Sequence, residues 1–289
     1  MDINNKIQTA SHSGATLEVL KINERFIVKK TIHTTINRNK LAIKKQQNFI
    51  KLMTSSYDIL AIPVDSISEE VDNLVIKMPY IEGIGGDAIS NKGNKVTANN
   101  IKIALNTYLI NTLANSEVKI ISNKVILKKL EEIEEKTLTN IHHFPSFSEA
   151  ISIVRKNSAT DLTLPIGPCH GDFTLSNMKI TQENQLYIFD FLDCFIESPL
   201  QDAVKIIQDM VYGWSFRKEK GSLRLKGKLF CESAYPNFIN TLEKLYPREM
   251  KILEIMMLLR IAPYIDGSDD VTIKWFNTSL CKSLKRLKG

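Results

Sequence analysis

The sequence predicts an α+β fold, with a small antiparallel β-sheet near the N-terminus and a larger, mainly helical remainder. Residues 16–21 alternate apolar and polar side chains, and residues 25–32 are rich in branched ones. With a turn at Asn23 and Glu24 between them, these two runs predict a β-hairpin. A further strand is expected at 74–78. Most segments after residue 97 carry helical patterns instead.

The helical segments are expected in a definite order along the chain. The first spans 39–53, where Leu41, Ile43, Phe49 and Leu52 give an amphipathic pattern. The later ones are expected at 97–116, 123–142, 202–214, 235–245 and 249–261. Helix 123–142 is highly charged, and its opposite charges one turn apart predict a solvent-exposed face.

Length and composition set the broad class of the protein. The chain has 289 residues, of which 43% are hydrophobic and 24% are charged, which suits a globular protein with substantial cores. Residues 1–5 do not resemble a secretory signal, and the apolar run 252–265 is interrupted by Glu254, Arg260 and Pro263. These features predict a cytoplasmic, soluble protein without a membrane span.

Chemistry is concentrated in a short stretch that begins at His170-Gly171-Asp172 and continues to Asn177. An apolar strand then leads to Asp190. Phosphoryl transfer needs a carboxylate beside the attacking hydroxyl and metal ligands near the nucleotide phosphates. Kinases use an Asp in a loop, an Asn five positions later and a second Asp after the next strand. The same order and spacing here predict Asp172 as the catalytic base, with Asn177 and Asp190 as magnesium ligands.

These residues resemble the aminoglycoside phosphotransferase and choline kinase family, in which His-Gly-Asp stands where protein kinases have His-Arg-Asp. The downstream Pro199 and Asp202 also fit the family pattern, with Asp202 expected to anchor the catalytic loop. The resemblance implies a bilobal, protein-kinase-like fold. Residues 1–82 would form the N-terminal nucleotide-binding lobe, and 83–289 the C-terminal catalytic and acceptor-binding lobe.

The resemblance also implies an ATP site in the N-terminal lobe. Phe26-Ile27-Val28-Lys29 matches the kinase strand whose lysine reaches the α- and β-phosphates, better than the frame that ends at Lys30. Adjacent strand residues face opposite ways, so only one of these lysines can enter the cleft, and Lys29 is the prediction. Ser13 and Gly14 would belong to the loop that covers the phosphates.

The segment around residue 80 resembles the family's hinge between lobes. There, the backbone of Met78, Tyr80 and Ile81 would meet the adenine edge. One departure concerns the predicted helix 39–53, which lacks the glutamate that pairs with the strand lysine in kinases. Gln46 or Gln47 occupies its approximate place, or Glu18 or Glu24 substitutes from a neighbouring strand.

The acceptor is less well defined than the reaction. Residues 217–228 contain six basic side chains and one acidic one, Glu219, within a chain of net charge +6. Such a surface attracts anions, whereas aminoglycosides are polycations. A sugar or an anionic metabolite is therefore predicted rather than an aminoglycoside, although a purely solvated loop is an equal alternative. Nucleic-acid binding is not expected, because no binding motif is present and aromatics are not interleaved with the basic run.

The four cysteines, Cys169, Cys194, Cys231 and Cys281, are far apart in sequence. Their spacing predicts neither a zinc site nor a disulfide scaffold, and no catalytic role is assigned to them. The sequence thus predicts an ATP- and magnesium-dependent kinase that phosphorylates a hydroxyl group of a small molecule. Two alternatives stay open: a kinase-like nucleotide-binding regulator with little activity, and a Ser/Thr protein kinase.

Overall fold

The structure is a computed structural model that describes residues 15–70, 72–86 and 88–288. The strands in chain order are β1 (Thr16–Ile22), β2 (Arg25–Ile32), β3 (Asp58–Ala61), β4 (Ser66–Glu70), β5 (Asn73–Pro79), β6 (Ile84–Gly85), β7 (Glu117–Ile121), β8 (Leu162–Ile166), β9 (Met178–Ile180) and β10 (Gln185–Ile188).

Helices dominate the chain after residue 87. In chain order they are α1 (Ile36–Gln47), α2 (Ala88–Lys92), α3 (Lys95–Ala114), α4 (Asn123–Thr137), α5 (Phe147–Asn157), α6 (Pro199–Met210), α7 (Gly221–Ala234), α8 (Phe238–Leu245), α9 (Pro247–Leu259) and α10 (Asp270–Lys288). Short 3₁₀ turns lie at Ile141–His143, Leu175–Asn177 and Ala262–Tyr264.

The N-terminal sheet has the strand order β1-β2-β5-β4, and all its pairs are antiparallel. The predicted hairpin is present, and Asn23 and Glu24 both have positive φ, as the tight turns that fit twisted strands require. A small core under this sheet is built from Ile32, Leu74 and Ile76 of the sheet together with Ile43 of α1. This lobe is thus a sheet with one helix packed on it.

A second sheet has the strand order β3-β10-β9-β6, and its buried side chains belong to the larger core. β3 comes from the first 82 residues, yet it pairs in parallel with β10, and Tyr57 and Ile59 belong to the large core. The loops before β9 and after β10 carry the predicted catalytic residues. This sheet therefore sets the positions of the two loops relative to each other.

Helix α1 differs from the predicted helix 39–53. It begins three residues earlier and ends at Gln47, where the backbone N–H of Asn48 caps the carbonyls of Lys44 and Gln46. Beyond it, Leu52 exchanges backbone hydrogen bonds with Ile59, which an extended chain can do and a helix cannot. Of the apolar side chains beyond Gln47, Phe49 and Leu52 pack against the large core from this extended segment, whereas Ile50 is 80% exposed and Met53 is 77% exposed.

The other predicted helices are present with shifted ends. α3 begins at Lys95 because the side chain of Asn94 accepts the N–H of Thr97, and α6 begins with Pro199 after the Ser198 cap. The basic segment 217–228 is partly helical, because α7 begins at Gly221. No helix among residues 15–70, 72–86 and 88–288 combines the length and apolar character needed to cross a membrane.

Candidate active site

The loop that carries Asp172 is anchored by a buried carboxylate, that of Asp202 in the first turn of α6. It accepts hydrogen bonds from the backbone N–H groups of His170 and Gly171, each at 2.7 Å, and from the Tyr108 hydroxyl at 2.7 Å. Gly171 has φ +90°, and a Cβ there would lie 2.4 Å from Cys194 Sγ. Only glycine fits this turn, so the sharp bend before Asp172 depends on it.

His170 orders the loop through both of its ring nitrogens. Its ring Nε2 donates to the Phe189 carbonyl at 2.8 Å, and its Nδ1 accepts the N–H of Asp172 at 3.2 Å, which together assign the neutral Nε2–H form. Complete burial, the largest influence, lowers the pKa of His170 to about 4. The imidazole is therefore neutral near pH 7, and it links the strand end before Asp190 to the loop of Asp172.

Asp172 is gripped on both carboxylate oxygens. Oδ2 accepts a hydrogen bond from Asn177 Nδ2 at 2.9 Å, and Oδ1 forms an ion pair with Lys205 Nζ at 2.9 Å. Burial alone would raise the pKa of Asp172, but Lys205, His170 and Asn177 together lower it below its ordinary value. The carboxylate is therefore ionised near neutral pH, which is the state that a general base requires.

The two predicted magnesium ligands lie on adjoining segments. The backbone carbonyl of Asn177 accepts a hydrogen bond from the N–H of Phe189 at 3.2 Å, and Phe189 directly precedes Asp190. Asp190 has φ +60°, a left-handed conformation that turns the chain out of β10. An amide oxygen and a carboxylate are hard donors of the kind that Mg²⁺ prefers, so the residues present fit this ion.

The structure does not bring Lys29 into the cleft. Lys29 pairs across the hairpin with Glu18 at 3.3 Å on the outer face of the sheet, whereas Lys30 Nζ lies 2.8 Å from Asp190 Oδ1. The side chain of Lys30 is only 13% exposed. The two adjacent lysines do face opposite ways, as expected. The match to the kinase pattern, however, selected the lysine on the face that points away from Asp190. Lys30 is the lysine that meets Asp190.

Gln46 and Gln47 do not replace the kinase glutamate in the expected way. Gln47 is exposed. Gln46 is buried, and its Nε2 donates to the Ile62 carbonyl at 2.7 Å and to Met78 Sδ at 3.5 Å, so it fixes α1 to the N-terminal lobe. Glu18 does pair with a strand lysine, as one alternative proposed, but the partner is the outward-facing Lys29.

Helix α1 instead sends basic side chains to the loop that follows Asp190. Arg38 Nε lies 3.0 Å from Asp193 Oδ2, and Lys45 Nζ lies 2.7 Å from Glu197 Oε2. Lys45 also donates to the Leu192 carbonyl at 2.6 Å. In kinases the helix supplies an acidic residue, whereas here the helix supplies cations and the loop after Asp190 supplies the carboxylates.

The predicted hinge residues differ in their surroundings, and Met78 is the one of the three that lines a cleft. Met78 lines a cleft between the N-terminal sheet and α1, which Lys30, Gln46, Asp190 and Phe191 also line. The N–H of Tyr80 donates to the Phe26 carbonyl, and the Ile81 carbonyl accepts from Lys179 Nζ at 2.6 Å. Ser13 and Gly14, predicted to cover the phosphates, lie outside the described residues.

Comparisons with known proteins agree with this geometry. Residues 127–229, which include Asp172, Asn177, Asp190, Asp202 and Lys205, match the model of the phosphotransferase enzyme family. No curated protein matches the chain. The family match therefore confirms the resemblance to phosphotransferases that the sequence motifs predicted.

Solved structures share the whole fold. A thermostable mutant of aminoglycoside phosphotransferase APH(4)-Ia, in a ternary complex with ADP and hygromycin B, is 10% identical with a TM-score of 0.61, over 100% of both chains. Choline kinase LicA from Streptococcus pneumoniae is 14% identical with a TM-score of 0.55, over 98% of both chains. These similarities confirm the predicted α+β, protein-kinase-like fold, and with the family match they support a phosphotransferase enzyme.

Two residues of this phosphotransferase site were not found from the sequence. Lys205 lies three positions after Asp202, on the next turn of α6, and a helical projection from Asp202 would have brought it towards the catalytic loop. Lys45 gave no such signal, because its partners are about 150 residues away in sequence.

Proposed function

We propose that this protein transfers the γ-phosphoryl group of ATP to a hydroxyl group of a small molecule. The proposal rests above all on Asp172, a carboxylate held in its ionised form beside Asn177. Asp190 directly follows Phe189, whose backbone bonds to two residues of the same loop. The Phe189 carbonyl accepts from the His170 ring, and the Phe189 N–H donates to the Asn177 carbonyl. A base, two oxygen donors for magnesium and a cationic Lys30 are the components that phosphoryl transfer requires.

In the proposed reaction, Asp172 accepts a hydrogen bond from the acceptor hydroxyl and takes its proton as the oxygen–phosphorus bond forms. Lys30 contacts the α- and β-phosphates, in the role first predicted for Lys29. Asn177 and Asp190 would hold Mg²⁺, which supplies positive charge against the phosphate oxygens. The products are ADP and a phosphate ester. We also propose a cytoplasmic location, because the reaction consumes ATP.

We assign nucleotide binding to residues 1–82 and acceptor binding to 83–289. The cleft beside Met78 and the hinge backbone at Tyr80 and Ile81 would receive the adenine ring, while Ser13 and Gly14 would cover the phosphates. β3 is shared between the lobes, since it pairs with β10. The boundary near residue 82 therefore separates the two proposed binding roles. The large hydrophobic core extends across it, because Tyr57 and Ile59 belong to that core.

The acceptor class follows from the charge next to the base. The ammonium of Lys205, 2.9 Å from Asp172, would meet an incoming acceptor at the point of reaction. Because this ammonium offsets the charge of Asp172, the point of reaction does not offer the net negative charge that would attract a polycationic aminoglycoside, and a sugar or an anionic metabolite fits better. The basic segment 217–228 adds less positive charge to the acceptor site than its composition indicates, because two of its side chains are engaged elsewhere. Arg217 stacks on Trp214, and Lys218 pairs with Asp269.

The proposal is tested with ATP, Mg²⁺ and a charge-sorted set of hydroxyl compounds: neutral sugars, sugar phosphates, choline and aminoglycosides. We expect mass spectrometry to find a phosphate ester of a neutral or anionic compound with the wild type, and none with Asp172→Asn or Asp190→Asn. Preferential phosphorylation of aminoglycosides would contradict the acceptor class. ATP binding without any product would favour the regulatory alternative, and a phosphorylated protein would favour the protein-kinase alternative.

A further inference from the structure

Two cysteines that are distant in sequence meet beside the catalytic loop. The sulfurs of Cys169 and Cys194 and a carboxylate oxygen of Glu197 all lie within 4.8 Å of one another. Both cysteines are free thiols. Cys169 is buried at 4% exposure, while Cys194 is half-buried, with its thiol directed at the Leu192 carbonyl at 3.7 Å. One thiol is therefore within reach of a small solute, and the other lies directly behind it.

Charged groups surround the pair in a way that suits thiol chemistry. Cys169 Sγ donates to Glu197 Oε2 at 3.2 Å, and Lys45 Nζ lies 3.6 Å from the same sulfur. The hydrogen bond with Cys194 and burial raise the pKa of Cys169 well above its ordinary value, against the weaker opposite influence of Lys45. Cys169 therefore suits the second, resolving step, in which the Glu197 carboxylate beside it accepts the thiol proton. Because Lys45 already supplies the positive charge at this point, the cluster favours thiol chemistry over a metal ion.

The location links this pair to the proposed site. Cys169 directly precedes His170, and Cys194 lies four positions after Asp190. Cys194 Sγ also packs against Gly171, where an added Cβ would lie only 2.4 Å from it. A bond between the sulfurs would therefore join the loop of the base to the loop of the metal ligand.

We propose that Cys169 and Cys194 are a peroxide-sensitive dithiol, which closes to a reversible disulfide and slows phosphoryl transfer. The Cys194 sulfur attacks an oxygen of hydrogen peroxide, the O–O bond breaks, and a sulfenic acid and water result. The Cys169 sulfur then attacks the Cys194 sulfur, its proton passes through Glu197 to the departing oxygen, and the S–O bond breaks to release a second water. Two thiols and one peroxide give one disulfide and two waters.

The effect on activity, which rests on the proposed function, comes from geometry. A disulfide requires a sulfur separation of about 2.05 Å, so the two loops must move towards each other. Leu192, between Asp190 and Cys194, donates its N–H to the His170 carbonyl at 2.8 Å, and this contact transmits the movement. Asp190 and Asp172 would leave the alignment that in-line transfer needs, where errors of about 1 Å cost about 100-fold.

The test uses the full chain with Cys281→Ser, because Cys281 is exposed and can pair between molecules. After hydrogen peroxide, we expect the free thiols to fall from three to one and a tryptic peptide linked through Cys169 and Cys194, which Lys179 separates in the reduced chain. Dithiothreitol should reverse both changes. Cys194→Ser should prevent the link, while Cys231→Ser should leave it intact.

Transfer activity is measured on the same samples. We expect at least a five-fold loss on oxidation, recovery on reduction, and no loss under the same mild treatment in Cys194→Ser. Absence of the linked peptide, or a linked protein with undiminished activity, would overturn the inference. Because the peptide is scored without any turnover, a reduced protein that transfers no phosphoryl group would count against the proposed function alone.

Discussion

Asp172 owes its ionised state to a residue on another element. Lys205 on α6 reaches the carboxylate at 2.9 Å and also donates to Gln208 Oε1 at 3.0 Å, one turn further along the helix. The lysine is only 12% exposed, so its charge is weakly screened by solvent. It therefore favours the deprotonated form of Asp172 and orients the carboxylate at the same time.

Replacing this lysine should shift the pH dependence of the reaction. In Lys205→Met, burial would raise the pKa of Asp172 without the opposing ammonium, so the acidic limb of kcat/KM should move to higher pH. The profile of Lys205→Arg should stay closer to that of the wild type. An unchanged acidic limb in Lys205→Met would show that the ion pair does not control the base.

The two strand lysines give a matched pair of variants. Lys30→Met should raise KM for ATP by about ten-fold or more, because it removes a buried cation that the phosphates would contact, about 1.4 kcal/mol or more. Lys29→Met removes only the outward pair with Glu18 and should leave KM within about two-fold. Steady-state kinetics at saturating acceptor measures both, and equal effects would refute the assignment of Lys30.

Helix α1 joins the lobes through cations rather than through an acidic residue. Lys45 contacts Glu197, the Leu192 carbonyl and Cys169, so one side chain fixes the loop after Asp190 against the helix. Lys44 is exposed on the same helix, and it gives a control of the same charge and helix propensity.

Removing Lys45 should therefore loosen this connection. Lys45→Met should lower the free energy of unfolding by about 1.5 to 3 kcal/mol, the usual range for hydrogen bonds to charged groups. Lys44→Met should change it by less than about 0.5 kcal/mol. Urea denaturation measures both, and equal stabilities would mean that the contacts of Lys45 contribute nothing measurable.

The sequence predicts an element well when the residues that fix it are close together along the chain, and poorly when they are far apart. Asp172, Asn177 and Asp190 could be found because their spacing is local to one loop and one hairpin. The choice between Lys29 and Lys30 depends on which face of β2 is covered, and that is set by α1 and by pairing with β5. The end of α1 was missed because Leu52 pairs with Ile59, a contact that helical periodicity does not encode.

For the molecule as a whole, two buried groups oppose each other in the pH dependence of stability. The pKa of His170 is lowered from 6.5 to about 4, so between these values the unfolded chain binds a proton that the folded chain does not. Acid therefore destabilises the fold through His170. Burial raises the pKa of Asp202 from 3.8 to about 6, so there the folded chain binds the extra proton. Each shift corresponds to about 3 kcal/mol, with opposite signs.

The variant Asp202→Asn removes one side of this balance. It should be less stable at every pH, since an asparagine cannot accept both loop N–H groups. Its further loss between pH 7 and pH 4 should exceed that of the wild type by about 3 kcal/mol, because His170 is then uncompensated. Chemical denaturation across this pH range provides the comparison, and parallel curves for the two proteins would contradict the opposing shifts.

The fold, the loop spacing and the charge pattern all lead to one claim, that Asp172 is the base of a phosphoryl transfer from ATP. The most direct measurement follows γ-labelled ATP with Mg²⁺ and an accepted hydroxyl compound, in the wild type and in Asp172→Asn. We predict a loss of kcat of about 100-fold or more in the variant, with ATP affinity within about three-fold of the wild type. Transfer by Asp172→Asn at the wild-type rate would contradict the account.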